Sequence, residues 1–262
     1  PASKAIVGKM KIYHELLSTI SKRKPVVLCT VINSNRSVPR KAGAKMLVFE
    51  DGSTLDTIGG GEMESRVITE ALIAIEDKKP RQLDYSLVNP SEGDPGVCGG
   101  EITIYLEPYM PQITIYILGA GHIGKAVSEL SHWLGYRVVI WDDRKEIIEN
   151  FEGQGNIVSG SLSEALEKEP VDKHTRVVAV TRNADVDGRA LPFILKTPAS
   201  YIGLMGSQKR WGVVRDILLT QGVSEGEIDR IATPIGLKIS AESPEEIAVS
   251  ILAEVIAFEN AS

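Results

Sequence analysis

Only two cysteines occur in 262 residues. That excludes a disulfide-stapled scaffold and suits a reducing compartment, so the expected location is cytoplasmic. The four histidines are scattered without ligand spacing, which argues against a structural zinc site. No apolar run reaches the ~18 residues of a membrane-spanning helix. Residues 1–9 contain no long apolar core, so no signal peptide is legible there, and the chain does not begin with Met. Positive charge is also in deficit: the formal net charge is −6, which disfavours nucleic-acid binding through bulk electrostatics. What remains, 43% hydrophobic and 24% charged residues, is ordinary for a folded globular chain of one or two domains.

The most informative stretch is residues 113–124. Ile113, Ile115, Ile117 and Leu118 belong to a β-branched, apolar run that reads as a buried strand. It ends in Gly119, Ala120, Gly121, His122, Ile123 and Gly124, a G-x-G-x-x-G turn. A helix follows, with Ile123, Val127, Leu130 and Leu134 at apolar spacing. Strand, glycine turn and helix together are the context in which this template means nucleotide binding. Gly119 permits the tight turn, Gly121 lets backbone approach a phosphate, and Gly124 lets helix and strand pack closely. The next strand, near 136–141, ends at Asp142 and Asp143, where an acceptor for a ribose hydroxyl is expected. Arg144 beside them suits a 2′-phosphate instead.

Taken in order, the chain predicts a helix over 10–20 with Met10, Tyr13, Leu16, Leu17 and Ile20 on its buried face, then a strand from Pro25 to Ile32. Cys29 lies inside that strand and reads as a small core hydrophobe. A polar loop over 33–40 ends at Arg40, and strands follow near 44–49 and 53–58. Gly59, Gly60 and Gly61 precede a helix over 62–76. They form either an anion-binding nest or a tight turn, with Glu62 and Glu64 weighing against a phosphate. A strand over 81–88 and a Pro- and Gly-rich loop over 89–96 deliver Cys98, flanked by Gly96, Gly99 and Gly100. A thiol in such a thin stretch of backbone is either a soft ligand or a packed group at a turn. Residues 107–112, with two prolines, are the expected linker. The predicted organisation is an α/β protein: an N-terminal mixed α+β domain over 1–110, and a larger Rossmann-type parallel sheet over 111–262.

In the second half, strands are expected near 156–159, 176–180 and 200–204, with helices over 144–150, from 161, over 189–195, from 205 to about 221, over 228–231, and from 243. Ligands of an open parallel sheet gather at the carboxyl ends of its strands. Two such ends join the glycine turn. Residues 181–187 bring Arg182, Asn183, Asp185 and Asp187. Gly206, Ser207, Lys209 and Arg210 make a phosphate-suited helix start. No Tyr-x-x-x-Lys pair follows the fingerprint and no Ser/His/Asp set is apparent, so hydride-transfer machinery is not legible.

These motifs resemble the XdhC/CoxI family, the accessory factors of xanthine dehydrogenase and related molybdenum hydroxylases. The likeness is carried by Ser34, Asn35, Arg36, Ser37, Val38, Pro39 and Arg40; by Gly59 to Gly61; by Cys98 with Gly99 and Gly100; by the 119–124 turn; by residues 181–187; by Met205, Gly206 and Ser207 with Lys209 and Arg210; and by Pro234, Ile235, Gly236 and Leu237 ahead of Ser243. The resemblance implies a chaperone that binds the molybdenum cofactor (molybdopterin), protects it during sulfuration and delivers it to an apo hydroxylase. It also implies work with a cysteine desulfurase, and a homodimer. Cys98 would stand near the cofactor as the candidate catalytic thiol, and the second-domain anion sites would hold a pterin phosphate or NAD(P). The alternatives are an NAD(P)-dependent oxidoreductase and a nucleotide-binding regulatory module. The sequence departs from the family at Arg36, where a glycine is usual, and in residues 181–184, which lack a histidine.

Overall fold

The computed structural model describes residues 2–35, 40–86 and 100–261. Cys98, Arg36 and the loop read at 89–96 lie outside the described residues. The chain divides into two compact units, Pro1–Pro111 and Gln112–Ser262.

The first unit holds α1 (Ala2–Ser21), β1 (Val26–Asn35), β2 (Lys45–Phe49), β3 (Thr54–Asp56), α2 (Gly61–Asp77), β4 (Arg81–Ser86) and β5 (Glu101–Tyr109). The strands form an antiparallel sheet in the order β3-β2-β1-β5-β4. Alternation along β1 sends its side chains to opposite faces. Val27, Cys29 and Val31 pack with Met46, Val48, Ile104 and the α2 residues Val67, Ala71 and Ala74. Val26 and Leu28 pack with Leu47 and the α1 residues Ile12 and Leu16. Cys29 is fully buried, and burial, with Glu64 nearby, pushes its thiol up to about 12. It behaves as a core hydrophobe.

Two readings in this unit change. The buried stripe of α1 is Ile12, Leu16 and Thr19, whereas Met10 and Leu17 are exposed; the helix is rotated so that the 12/16/19 ridge meets the sheet. The 107–112 stretch is not all linker, because β5 continues to Tyr109 with Pro108 opposite Val27. A proline is tolerated there because β4 starts only at Arg81, opposite Leu106, leaving the rest of β5 an edge strand on that side.

The second unit holds β6 (Thr114–Leu118), α3 (His122–Trp133), β7 (Arg137–Trp141), α4 (Lys145–Glu149), β8 (Asn156–Val158), α5 (Leu162–Lys168), β9 (Thr175–Ala179), α6 (Ala184–Leu195), β10 (Tyr201–Leu204), α7 (Gln208–Thr220), α8 (Glu225–Ile228), β11 (Ile231–Ala232) and α9 (Pro244–Ala261). The sheet is parallel, in the order β11-β10-β9-β6-β7-β8. Numbered within the unit, that is the 3-2-1-4-5-6 order of a doubly wound Rossmann sheet, with its switch point between β6 and β9. Tyr116, Leu118, Val139 and Val177 face α6 and α7 through Leu191, Val214 and Leu218. Ile115, Ile117, Ile140 and Val178 face α3 and α9 through Val127, Ala248, Ile251 and Val255. Two apolar layers on one sheet explain why β6 and β9 are buried at every position.

Element boundaries shift in two places. α6 starts at Ala184 rather than 189, because Asn183 caps it by accepting the Val186 N–H and Asp185 and Asp187 suit its first turn. The short helix read at 228–231 is α8, started by a Ser224/Glu227 capping box, and Ile231 belongs to an edge strand.

Candidate functional site

At the end of β6 the chain turns through Gly119 with φ +116°. A Cβ there would lie 2.7 Å from the Val180 carbonyl oxygen, and a Cβ on Gly124 would lie 1.9 Å from the Gly119 carbonyl oxygen. Both positions therefore require glycine for packing alone. Gly121 differs, since a Cβ there would meet nothing within 4 Å. Its missing side chain leaves open space at the start of α3. That helix has no side-chain cap and no acid in its first turn, so its positive end carries no carboxylate of its own. Ala120, Gly121, His122 and Lys125 line a cleft of about 300 Å³ together with Ile147, Asn150, Phe151 and Glu152, and the exposed Glu152 carboxylate lies 3.4 Å from Lys125 Nζ. His122 is exposed, and Ile123 half-buried against the α3–α9 core.

The two acids after β7 are both engaged. Asp142 is 5% exposed. Its Oδ2 accepts from the Ala120 N–H and Arg144 Nη2, each at 2.9 Å. Its Oδ1 accepts from the Arg144 N–H at 3.0 Å and Nε at 2.9 Å. Burial alone would raise the Asp142 carboxyl, but Arg144 and the Ala120 amide outweigh it and hold the pKa below the usual value. Its four lone-pair directions are filled, so a ribose hydroxyl would have to displace Arg144 or the turn itself. Asp143 forms a bidentate pair with Arg182, with Nη2 to Oδ2 at 2.9 Å, and lies 3.4 Å from Arg189.

Beyond the switch point, Asp187 is fully buried. It accepts from Thr181 Oγ1 at 2.6 Å and from Arg210 Nε at 2.8 Å and Nη2 at 2.5 Å. Arg210 Nη2 also donates to the Thr181 carbonyl at 3.0 Å. Burial raises the Asp187 pKa by more than Thr181 and Arg210 lower it. Arg210 therefore staples the end of β9 to α6 and α7 rather than standing free for a phosphate. Ser207 caps α7 by accepting the Arg210 N–H at 3.2 Å, and Gly206 sits against the Arg210 stem. Lys209 is exposed. Asn183 is spent as the α6 cap.

In the first unit, the Gly59, Gly60 and Gly61 turn contains its own anion. Glu64 Oε2 accepts from the Ile58 N–H at 3.2 Å, the Gly60 N–H at 2.9 Å and Thr57 Oγ1 at 2.5 Å, while the Gly59 N–H donates to Thr57. The nest reading thus gives way to a turn just ahead of α2, closed by the Glu64 carboxylate. Arg40 is exposed. Cys98 lies outside the described residues. Sequence reasoning missed Lys125, one turn into α3, and Arg189, one helical turn after Asp185. Their spacing on helices that start just after the carboxyl ends of β6 and β9 was the available signal.

Among known proteins, the model described as the XdhC Rossmann domain matches residues 115–255, and that of the XdhC and CoxI family matches residues 19–86. The chain is 30% identical over 255 residues to the protein YqeB of Escherichia coli strain K12, covering 96% of this chain and 47% of YqeB, so it spans about half of that relative's length. It is 21% identical over 282 residues to the molybdenum cofactor insertion chaperone PaoD of the same strain, covering 88% of this chain and 83% of PaoD. A crystal structure of a Bacillus halodurans protein described as a xanthine dehydrogenase shares the fold, with a TM-score of 0.51 and 23% identity over 94% of this chain and 95% of that one.

Proposed function

The chain belongs to the XdhC and CoxI family, and on that premise we propose that it is an accessory factor for a molybdenum hydroxylase. It binds the molybdenum cofactor, holds it while its sulfido ligand is installed, and delivers it to an apo enzyme of the xanthine dehydrogenase type. The observation that carries this reading is its similarity, over 88% of its length, to a relative named as a molybdenum cofactor insertion chaperone.

The residues present fit the phosphate end of such a cofactor. Gly121 leaves room beside an α3 N-terminus that has no acid in its first turn, and Lys125 stands in the adjoining cleft. These groups would bind and orient the phosphate. The cofactor supplies the metal chemistry used by the client. In the other unit the Cys98 thiolate is the candidate soft donor. A cysteine desulfurase is the expected sulfur source, the cytoplasm the compartment, and a homodimer the working assembly. The filled Asp142 carboxylate weighs against the rival NAD(P) oxidoreductase, because the acceptor for a ribose hydroxyl is already saturated by Arg144 and Ala120.

The test is purification after co-expression with cofactor biosynthesis, followed by denaturation, oxidation and pterin fluorescence. We expect a stoichiometric pterin signal. Absence of pterin together with substrate-dependent NAD(P)H turnover would overturn the reading in favour of the oxidoreductase. A Cys98→Ser variant is expected to fold and to lose retained pterin; unchanged retention would remove Cys98 from the site.

A further inference from the structure

We propose that the Asp143–Arg182 pair is a latch across the glycine turn, in which Asp143 occupies the seat on Arg182 and Arg189 that a ligand phosphate takes. The proposal rests on the anion-binding reading of that turn. Asp143 follows β7 and Arg182 follows β9, and β6 lies between those strands. With strands about 4.8 Å apart, a bidentate pair joining these two loops must bridge the carboxyl end of β6, where residues 119–121 turn. Asp142 is bonded to Ala120 within that turn, and Gly119 packs directly on Val180 and Thr181. The pair therefore spans the end of β6 beside the turn from which α3 starts.

The two neighbouring acids are not equivalent. Asp142 is buried, and Arg144 and the Ala120 amide fill its acceptors, so it is fixed. The Asp143 side chain is 26% exposed and that of Arg182 37% exposed. Pairs with this much water access contribute little on their own, so breaking this one costs little. A phosphate offers Arg182 the same two-pronged geometry with more charge. The local charges also balance: Arg144, Arg182 and Arg189 face Asp142, Asp143 and Asp185. An incoming anion on the arginines frees Asp143 to solvent, and the uncapped N-terminus of α3 meets the added charge. Ligand entry is then an exchange of one anion for another.

The test is calorimetric titration of the full chain with inorganic pyrophosphate at low salt. Removing the competing carboxylate in Asp143→Asn is expected to tighten binding about 3-fold, the scale set by a water-exposed ion pair. The double variant Asp143→Asn with Arg182→Gln is expected to lose that gain. Asp143→Ala provides a second removal of the carboxylate, and circular dichroism verifies folding of each variant. Equal affinity in wild type and both Asp143 variants would overturn the latch while leaving the anion site standing. Failure of all of them to bind pyrophosphate would overturn both.

Discussion

At the scale of single residues, the three glycines of the 119–124 turn have different duties. Gly124 is held by sterics, with the Gly119 carbonyl oxygen 1.9 Å from where a Cβ would stand. Gly124→Ala is expected to cost about 2–3 kcal/mol or more, the upper range of overpacking, because backbone rather than a pliable side chain blocks it. Urea denaturation would measure this; a loss below ~1 kcal/mol would mean that α3 is not seated on the turn as described. Gly121→Ala meets no protein atom and should leave stability within ~1 kcal/mol, since φ −76° suits alanine. Its expected effect is on pyrophosphate binding, because the methyl fills the space left for the ligand. Asp142 gives a pH prediction. Its folded pKa is depressed, so its contribution to stability is present above the unfolded value of about 3.9 and disappears as pH falls through the lower folded value. Asp142→Asn should therefore show a shallower loss of stability below pH ~4 than the wild type, followed by thermal melts across an acid pH series. Asp187 has the opposite sign, since burial raises its folded pKa.

At the scale of elements, the junction of β9, α6 and α7 depends on one guanidinium. Arg210→Ala would leave Asp187, fully buried, without its charge partner. Removing one member of a buried pair costs about 3–5 kcal/mol, so the variant should melt well below the wild type. Arg210→Lys should recover only part, because a single ammonium does not reproduce contacts to both Asp187 and Thr181. Full stability in Arg210→Ala would show that the staple is ornamental. This junction also marks where the sequence stops being legible. The strands β6, β7, β9 and β10 announce themselves as short apolar runs because both faces of the sheet are covered. The glycine turn is legible because its three constraints are local. The start of α6 is not: Asn183, Asp185 and Asp187 read as loop until the cap on Val186 is seen. The fates of the acids are hidden for a stronger reason. Asp143 meets Arg182 from 39 residues away, and Asp187 meets Arg210 from 23. The sheet order decides which acids are free, and local pattern carries no trace of it. The glycines at 59–61 show the same limit on a smaller scale, with Glu64 supplying the anion a ligand would have supplied.

At the scale of the whole molecule, each unit has what a domain needs. The first buries two clusters on opposite faces of its antiparallel sheet. The second buries two larger clusters on opposite faces of its parallel sheet, drawn from helices of its own segment. Its length falls in the usual range for an independently folding domain, and the matched Rossmann model lies wholly inside it. The groups proposed to meet an anion, Gly121, Lys125, Arg182 and Arg189, are all in residues 112–262, whereas Cys98 is in the first unit. On the proposed reading, phosphate binding and thiol chemistry are separated along the chain. A fragment of residues 112–262 is therefore expected to unfold in a single cooperative thermal transition and to bind pyrophosphate with the affinity of the full chain. Retention of the whole pterin cofactor is expected to require residues 1–111 as well. Circular dichroism melts, calorimetry and the pterin assay on fragment and full chain side by side would decide it. A fragment that melts without cooperativity would show that the parallel sheet depends on the first unit. A folded fragment that retained the pterin as well as the full chain would take Cys98 and its unit out of cofactor binding altogether.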